Sequence, residues 1–164
     1  MKARLGIAAG LVIALALVGL EVSRKERLLA SGEVVLLELA PVDPRSLMQG
    51  DYMRLDYAVS RLGEATTTWP RDGALVVQAD QQGVARFVRR DEGQPLATGE
   101  HRLTYRRRGA RVRVGTDAFY FQEGTADVYG VARFGELRVA PDGTSVLVGL
   151  RDADLHPLGR DGQQ

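Results

Sequence analysis

The sequence predicts a mainly antiparallel β domain that follows an apolar N-terminal helix. From residue 33 to 158, short segments rich in Val, Leu and aromatic residues alternate with turn signals, as is typical of β-strands. Before them, residues 5–20 form an apolar run without the polar stripe of a soluble helix. The predicted fold class is therefore all-β, a sandwich or partly open barrel with one short helix, preceded by an N-terminal transmembrane helix.

Composition sets limits on the function. With 164 residues and 45% hydrophobic content, the chain has room for one domain with a real core. Its formal net charge of +1 gives no overall attraction to nucleic acid, so any electrostatic role must be local. Cysteine is absent, which excludes disulfides, thiolate metal sites and a cysteine nucleophile.

The N-terminus has the pattern of a signal anchor. Lys2 and Arg4 precede the apolar run, which as a helix would rise about 24 Å, short of a hydrocarbon core of roughly 30 Å. The charged and bulky segment "EVSRKERLLA" that follows is unlike a signal-peptidase site. We interpret residues 1–22 as an uncleaved anchor that meets the bilayer through residues 5–20, and residues 23–32 as a polar linker. Basic residues flank the run on both sides, so charge leaves the orientation open.

The β domain is expected over residues 33–158, with a flexible tail at 159–164. Turns are predicted at "RDG" 71–73, "QQG" 81–83, "RRG" 107–109 and "PDG" 141–143, where glycine supplies positive φ. A short helix is predicted within 124–135, capped by Thr125, because Val128, Val131 and Ala132 recur at helical spacing.

The hairpin at 101–114 divides its side chains between two faces. Alternation places Leu103, Tyr105, Val112 and Val114 inward. Five residues then point outward, namely Arg102, Thr104, Arg106, Arg111 and Arg113. With Arg107 and Arg108 they form a cationic ribbon suited to lipid phosphates or an acidic partner, although a solvated face is the interpretation we favour.

The most specific stretch is "PVDPRSLMQGDYMRLDYAVS", residues 41–60. Asp43 precedes a proline and can cap a turn over "DPRSL", and Gly50 with Asp51 can reverse the chain into the next strand. Alternation in that strand predicts that Tyr52 either covers the turn or makes a contact, and that four residues face the core, namely Met53, Leu55, Tyr57 and Val59. The candidate binding residues are Asp43, Arg45, Gly50, Asp51, Tyr52 and Tyr57.

The segment "GDYMRLDY", 50–57, resembles the motif that names the GDYXXLXY family of bacterial proteins, and residues 119–150 are similar to a later block of that family. The resemblance implies a single-pass bacterial inner-membrane protein with its domain on the periplasmic side. It also implies association with a polytopic membrane protein. The family carries over neither catalytic residues nor cofactors.

Catalytic and metal sites have little support in the sequence. A serine–lysine dyad at Ser46 is excluded from the domain because the only lysines, Lys2 and Lys25, lie at the anchor. A pairing of Ser46 with His101 or His156 stays open. Asp152 and Asp154 beside His156 are interpreted as solvated residues, and we predict no metal and no cofactor.

Three functions remain for the domain. The first is a non-catalytic accessory that binds a polytopic inner-membrane protein through residues 41–57. The second is a cell-envelope hydrolase that uses Ser46 or a His/Asp site. The third is a small-ligand carrier with a β cavity, which the sequence does not separate from the first.

Overall fold

A computed structural model describes residues 2–40, 48–49 and 52–159 of the chain. It begins with a long helix, α1 (Lys2–Ser31). Within the described ranges, ten strands, two 3₁₀ turns and a second, short helix follow. The strands are β1 (Glu33–Glu38), β2 (Met48–Gln49), β3 (Tyr52–Arg54), β4 (Asp72–Ala79), β5 (Val84–Arg90), β6 (Glu100–Arg108), β7 (Arg111–Val114), β8 (Ala118–Tyr120), β9 (Phe134–Val139) and β10 (Ser145–Arg151). The 3₁₀ turns are η1 (Ala58–Ser60) and η2 (Gly63–Thr68), and the short helix is α2 (Ala126–Tyr129).

Helix α1 continues through most of residues 23–32, the segment interpreted as a polar linker. Residues 21–31 contain neither glycine nor proline, and Arg24 pairs with Glu21 one turn away at 2.8 Å, so nothing interrupts the helix. It ends at Gly32, whose N–H donates to the Leu28 carbonyl at 2.9 Å. Arg138 of β9 donates to the Gly32 carbonyl at 2.8 Å and fixes this junction to the domain.

The apolar part of α1 is solvent-exposed. Large side chains from Ile7 to Leu20 are all more than half exposed, and the helix contacts the domain at β9 and β10. Within the described part of the chain, no helix has both the length and the apolar character required of a membrane-spanning segment.

The strands form two sheets. The larger has seven strands in the order β10-β9-β1-β5-β4-β6-β7, and the smaller has the order β2-β3-β8. All described pairings are antiparallel except that of β1 with β5, which is parallel. The large sheet curls, because β6, near one edge, contacts the turn between β9 and β10 at the other edge. There the Thr104 N–H donates to the Gly143 carbonyl at 2.9 Å. The result is mostly β, a sandwich close to a closed barrel, with one long helix.

One hydrophobic core lies between the two sheets. The predicted inward set of the 101–114 hairpin is buried, and so are Met53, Leu55, Tyr57 and Val59, as alternation predicted. However, β3 ends at Arg54, and η1 replaces the end of the predicted strand. The inward pattern therefore continues through a short irregular segment rather than through one long strand.

Local predictions succeeded where glycine controls the backbone. Gly83, Gly109 and Gly143 have positive φ in the predicted turns. The "RDG" turn was wrong: Gly73 lies inside β4, where a Cβ atom would come within 2.8 Å of the Tyr105 hydroxyl. Glycine is needed there because the Tyr105 side chain approaches the backbone closely, and not because the chain reverses.

The predicted helix is present but small. Of the three residues whose helical spacing predicted it, Val128 and Val131 are exposed, whereas Ala132 is buried. Instead, Tyr129 packs against Phe119 and Phe121, with ring centroids 5.0 and 5.1 Å apart. Thr125 precedes the helix without a side-chain capping bond. In a four-residue helix, this aromatic contact decides which face turns inward.

A charged pair links β5 and β6. The Arg89 guanidinium donates to both carboxylate oxygens of Glu100, and the Ala97 N–H donates to the same carboxylate at 2.9 Å. These bonds, with that from Arg89 the stronger, lower the pKa of the Glu100 carboxyl below its usual value. The ionised carboxylate therefore stabilises the folded state.

Stability is expected to fall in acid partly through Glu100. A depressed pKa in the folded state stabilises the protein above the unfolded glutamate pKa of about 4.3, and this contribution disappears as the pH falls through the folded value. Between about pH 5 and pH 3, Glu100→Gln should therefore lose less stability than the wild type. Thermal unfolding at several pH values checks this, and identical acid slopes would contradict it.

Candidate functional site

A groove of about 410 Å³ lies where the second half of the motif meets the edge strand β7. Its walls are residues 54–57 and 60–61 on one side, and residues 111–114 with Asp117 on the other. Four arginines line it, namely Arg54, Arg61, Arg111 and Arg113. We call this feature the arginine groove.

Strand alternation places these side chains in the groove. Leu55 and Tyr57 are buried in the core. Arg54 and Asp56 alternate with them along the chain and therefore face away from the core. In β7, Val112 and Val114 are buried, and Arg111 and Arg113 point outward for the same reason. The Leu55 N–H donates to the Asp117 carbonyl at 2.8 Å, which holds the wall that carries the motif to the Asp117 segment.

The groove has more positive than negative charge. Arg61 pairs with Asp56 at 2.9 Å, and Arg113 pairs with Asp117. Arg54 and Arg111 are exposed, and neither has an ion-pair partner among the residues that the structure describes. Two cationic side chains thus remain available to a ligand.

Tyr57, the last residue of the motif, also lines the groove. It is only 2% exposed, and its hydroxyl has no hydrogen-bond partner in the described structure. Burial, and to a lesser degree the negative charge of Asp117, raise the pKa of the Tyr57 hydroxyl above its usual value. The hydroxyl therefore stays protonated, and no acceptor for it lies among the described residues.

A second feature of the motif strand is an aromatic pair. Tyr52 on β3 lies opposite Tyr120 on β8, with ring centroids 5.6 Å apart. Tyr120 is 76% exposed and Tyr52 is half-buried, so the pair forms an outward-facing aromatic surface on the small sheet. Arg54 lies two residues from Tyr52 and, by strand alternation, on the same face.

The six candidate residues from the sequence are only partly placed. Tyr52 lies in the exposed aromatic pair, and Tyr57 lies in the core at the arginine groove. The other four candidates and Ser46 lie outside the described residues, namely Asp43, Arg45, Gly50 and Asp51 with Ser46. The predicted turn over "DPRSL" also falls there.

The two histidines belong to different local clusters. His101 on β6 lies 2.8 Å from the Glu33 carboxylate, on β1. His156, Asp152 and Asp154 bring their ligand atoms within 4.8 Å of one another. Asp152 accepts the N–H groups of Asp154 and His156 at 2.9 Å each, and that from His156 is the main reason for its lowered pKa. Its carboxylate thus stabilises a tight turn.

The arginine groove was not predicted from the sequence. Alternation identified Arg111 and Arg113 as outward-facing, but we interpreted them as part of a solvated face. The pairing of β6 with β7, and the contact of β7 with η1, bring them beside Arg54 and Arg61. Arginine stands before or between buried apolar residues both in the motif strand and in β7. This shared pattern is the sequence signal that could have indicated the groove.

The fold and the groove together define a class of protein: a mostly β domain behind a long N-terminal helix, with an arginine-lined groove under its motif strand. The family model described as "GDYXXLXY protein" matches residues 14–150. The chain therefore belongs to the GDYXXLXY family, which confirms the resemblance seen in residues 50–57. No curated protein and no solved structure matches the chain significantly.

Proposed function

We propose that this protein is a non-catalytic accessory of the bacterial inner membrane, whose β domain binds a polytopic membrane protein on the periplasmic side. The observation that carries the proposal is the exposed aromatic pair of Tyr52 and Tyr120 on the motif strand and its neighbour. Tyrosines combine a large apolar area with a polar tip, and they are frequent among the residues that dominate protein interfaces.

The anchoring part of the proposal rests on α1. Its large apolar side chains between Ile7 and Leu20 have no domain to cover them in the described structure, and a bilayer would cover them. Arg24, Lys25 and Arg27 follow directly, where cationic side chains can reach lipid headgroups. Residues 21–31 extend the helix by about 16 Å beyond the apolar run, which would hold the domain near the membrane surface.

Tyr120→Ala is expected to lower the recovery of the partner about tenfold or more, because a truncated interface tyrosine commonly costs that much affinity. The measurement is chemical cross-linking in native membranes, followed by purification of the tagged full-length chain and mass spectrometry. Val88→Ala, an exposed apolar residue on β5, is the matched control.

The outcomes separate the candidate functions. A polytopic protein that is recovered with the wild type and with Val88→Ala, but lost with Tyr120→Ala, supports the accessory role. If the same proteins are recovered with all three chains, the aromatic pair is not the docking surface. Recovery of the chain alone in every case contradicts the accessory role and favours the hydrolase or the ligand carrier.

A further inference from the structure

We infer that the arginine groove binds carboxylate side chains of an acidic polypeptide segment that the membrane partner presents. This deepens the proposed function, on which it rests, by assigning a chemistry to the partner. It concerns a different part of the surface from the aromatic pair, and it is carried by the charges of Arg54 and Arg111 and by the position of the groove in the fold.

The charge balance of the groove favours an anionic ligand. Arg61 and Arg113 are already neutralised by Asp56 and Asp117, whereas Arg54 and Arg111 have no such partner in the described ranges. Guanidinium groups bind carboxylates through two parallel hydrogen bonds, a geometry that fixes both groups. Two available guanidinium groups in one concave site can therefore select a segment with more than one acidic side chain.

The size of the groove suits side chains rather than a single small ion. Its volume of about 410 Å³ far exceeds the space needed for one water-sized ion. The Tyr57 hydroxyl, a buried donor without an acceptor in the described structure, lies in a residue that lines the same groove. The hydroxyl itself is buried beside Gly135 and Gly115, so the ligand contacts in this inference are those of the guanidinium groups.

The position of the groove favours a polypeptide over a lipid headgroup. β1 begins directly after α1, and the groove residues Asp56 and Tyr57 meet the chain at Ala40 and Leu39, just beyond the far end of that strand. The seven residues from 33 to 39, if fully extended, span about 23 Å. The groove therefore lies well away from the junction of α1 with β1. Headgroups beside an anchored α1 would not reach it, whereas an extramembrane segment of a partner would.

The groove is also continuous with the proposed docking surface. Arg54 and Tyr52 are alternate residues of β3, and their partners across the sheet are Ala118 and Tyr120. A partner that covers the aromatic pair is therefore within one strand repeat, about 7 Å, of a guanidinium group. The tyrosines would supply apolar contact, and the arginines would select acidic sequences.

The test measures binding of a capped, fluorescently labelled hexaglutamate peptide to the full-length chain in neutral detergent. We expect saturable binding that weakens as salt is raised, and a loss of about tenfold or more in the Arg54→Ala/Arg111→Ala double variant. Arg86→Ala, which removes an exposed arginine on β5, is the matched control and should bind like the wild type. Equal binding by all three chains, or no binding by the wild type, would overturn the inference.

Two further arms define the ligand and separate this inference from the proposed function. Inorganic phosphate and glycerol phosphate, which carries the anionic group of a lipid headgroup, should compete poorly with the labelled peptide. Competition as strong as that of unlabelled peptide would overturn the preference for carboxylates.

If partner recovery from membranes depends on Tyr120 but not on Arg54 and Arg111, the accessory role stands and the acidic ligand does not. Recovery that depends on neither overturns both the aromatic docking surface and the acidic ligand, whereas recovery of the chain alone contradicts the accessory role itself.

Discussion

Arg151→Met is expected to lower the free energy of unfolding by about 3–5 kcal/mol. Arg151 on β10 donates from Nε to the Glu136 carboxylate at 2.9 Å, and Glu136 on β9 is only 3% exposed. Removal of the guanidinium would take away a charged partner that compensates for the burial of the Glu136 carboxylate. Chemical denaturation of the full-length chain measures the loss, and the single tryptophan, Trp69, which packs on Phe87 and Tyr105, reports unfolding by its fluorescence.

Two control variants separate burial from charge in this pair. Arg106→Met breaks the pair with Asp72, whose two side chains are both well exposed, and should cost less than about 1 kcal/mol. Glu136→Leu combined with Arg151→Met should recover much of the loss, because neither charge then remains buried. A cost for Arg151→Met no larger than that for Arg106→Met would show that the Glu136 carboxylate is adequately solvated in the folded protein.

The sequence predicted most of the strands because their side chains alternate against one core. Leu103 and Tyr105, for example, were assigned inward from periodicity alone and are buried. Partners along the sheet were not predictable in this way. The parallel pairing of β1 with β5 joins residues such as Leu36 and Val84, and periodicity carries no information about which strand lies beside which.

Short elements were less predictable for a physical reason. β8 has three residues, and its place beside β3 depends on the contact of Tyr120 with Tyr52 and on the pairing of Met53 with Phe119. A three-residue segment has too little periodicity to be distinguished from a loop. Similarly, Gly73 follows the turn-like dipeptide "RD", but the space required by Tyr105 explains it better than a change of direction does.

The candidate site was predictable only in part. The motif indicated the right strand, since Arg54, Leu55 and Tyr57 all contribute to the arginine groove or to the core beneath it. The second wall comes from β7, about sixty residues later, and only the folded structure brings Arg111 to Arg54. Leu55 and Tyr57 are buried, so at least these two positions of the motif serve the core, whereas Tyr52 lies at the surface.

Tyr57 is expected to separate the structural from the functional part of the motif. Tyr57→Ala should cost about 3–5 kcal/mol, because the ring fills a fully buried position against Gly135, where a Cβ atom would lie 2.9 Å from the Tyr57 ring. Tyr57→Phe keeps the ring and removes a buried hydroxyl that is unpaired in the described structure, so it should be neutral or stabilising by about 1 kcal/mol. Denaturation followed through Trp69 measures both.

Tyr105→Phe is the matched control, because the Tyr105 hydroxyl is also buried and unpaired in the described structure but lies outside the arginine groove. Both phenylalanine variants should have similar stability, and neither should weaken binding of the hexaglutamate peptide, because both hydroxyls are buried. A loss of stability in Tyr57→Phe alone would mean that its hydroxyl has an acceptor in the folded protein. Weaker peptide binding by Tyr57→Phe alone would mean that the hydroxyl turns into the arginine groove when the ligand binds.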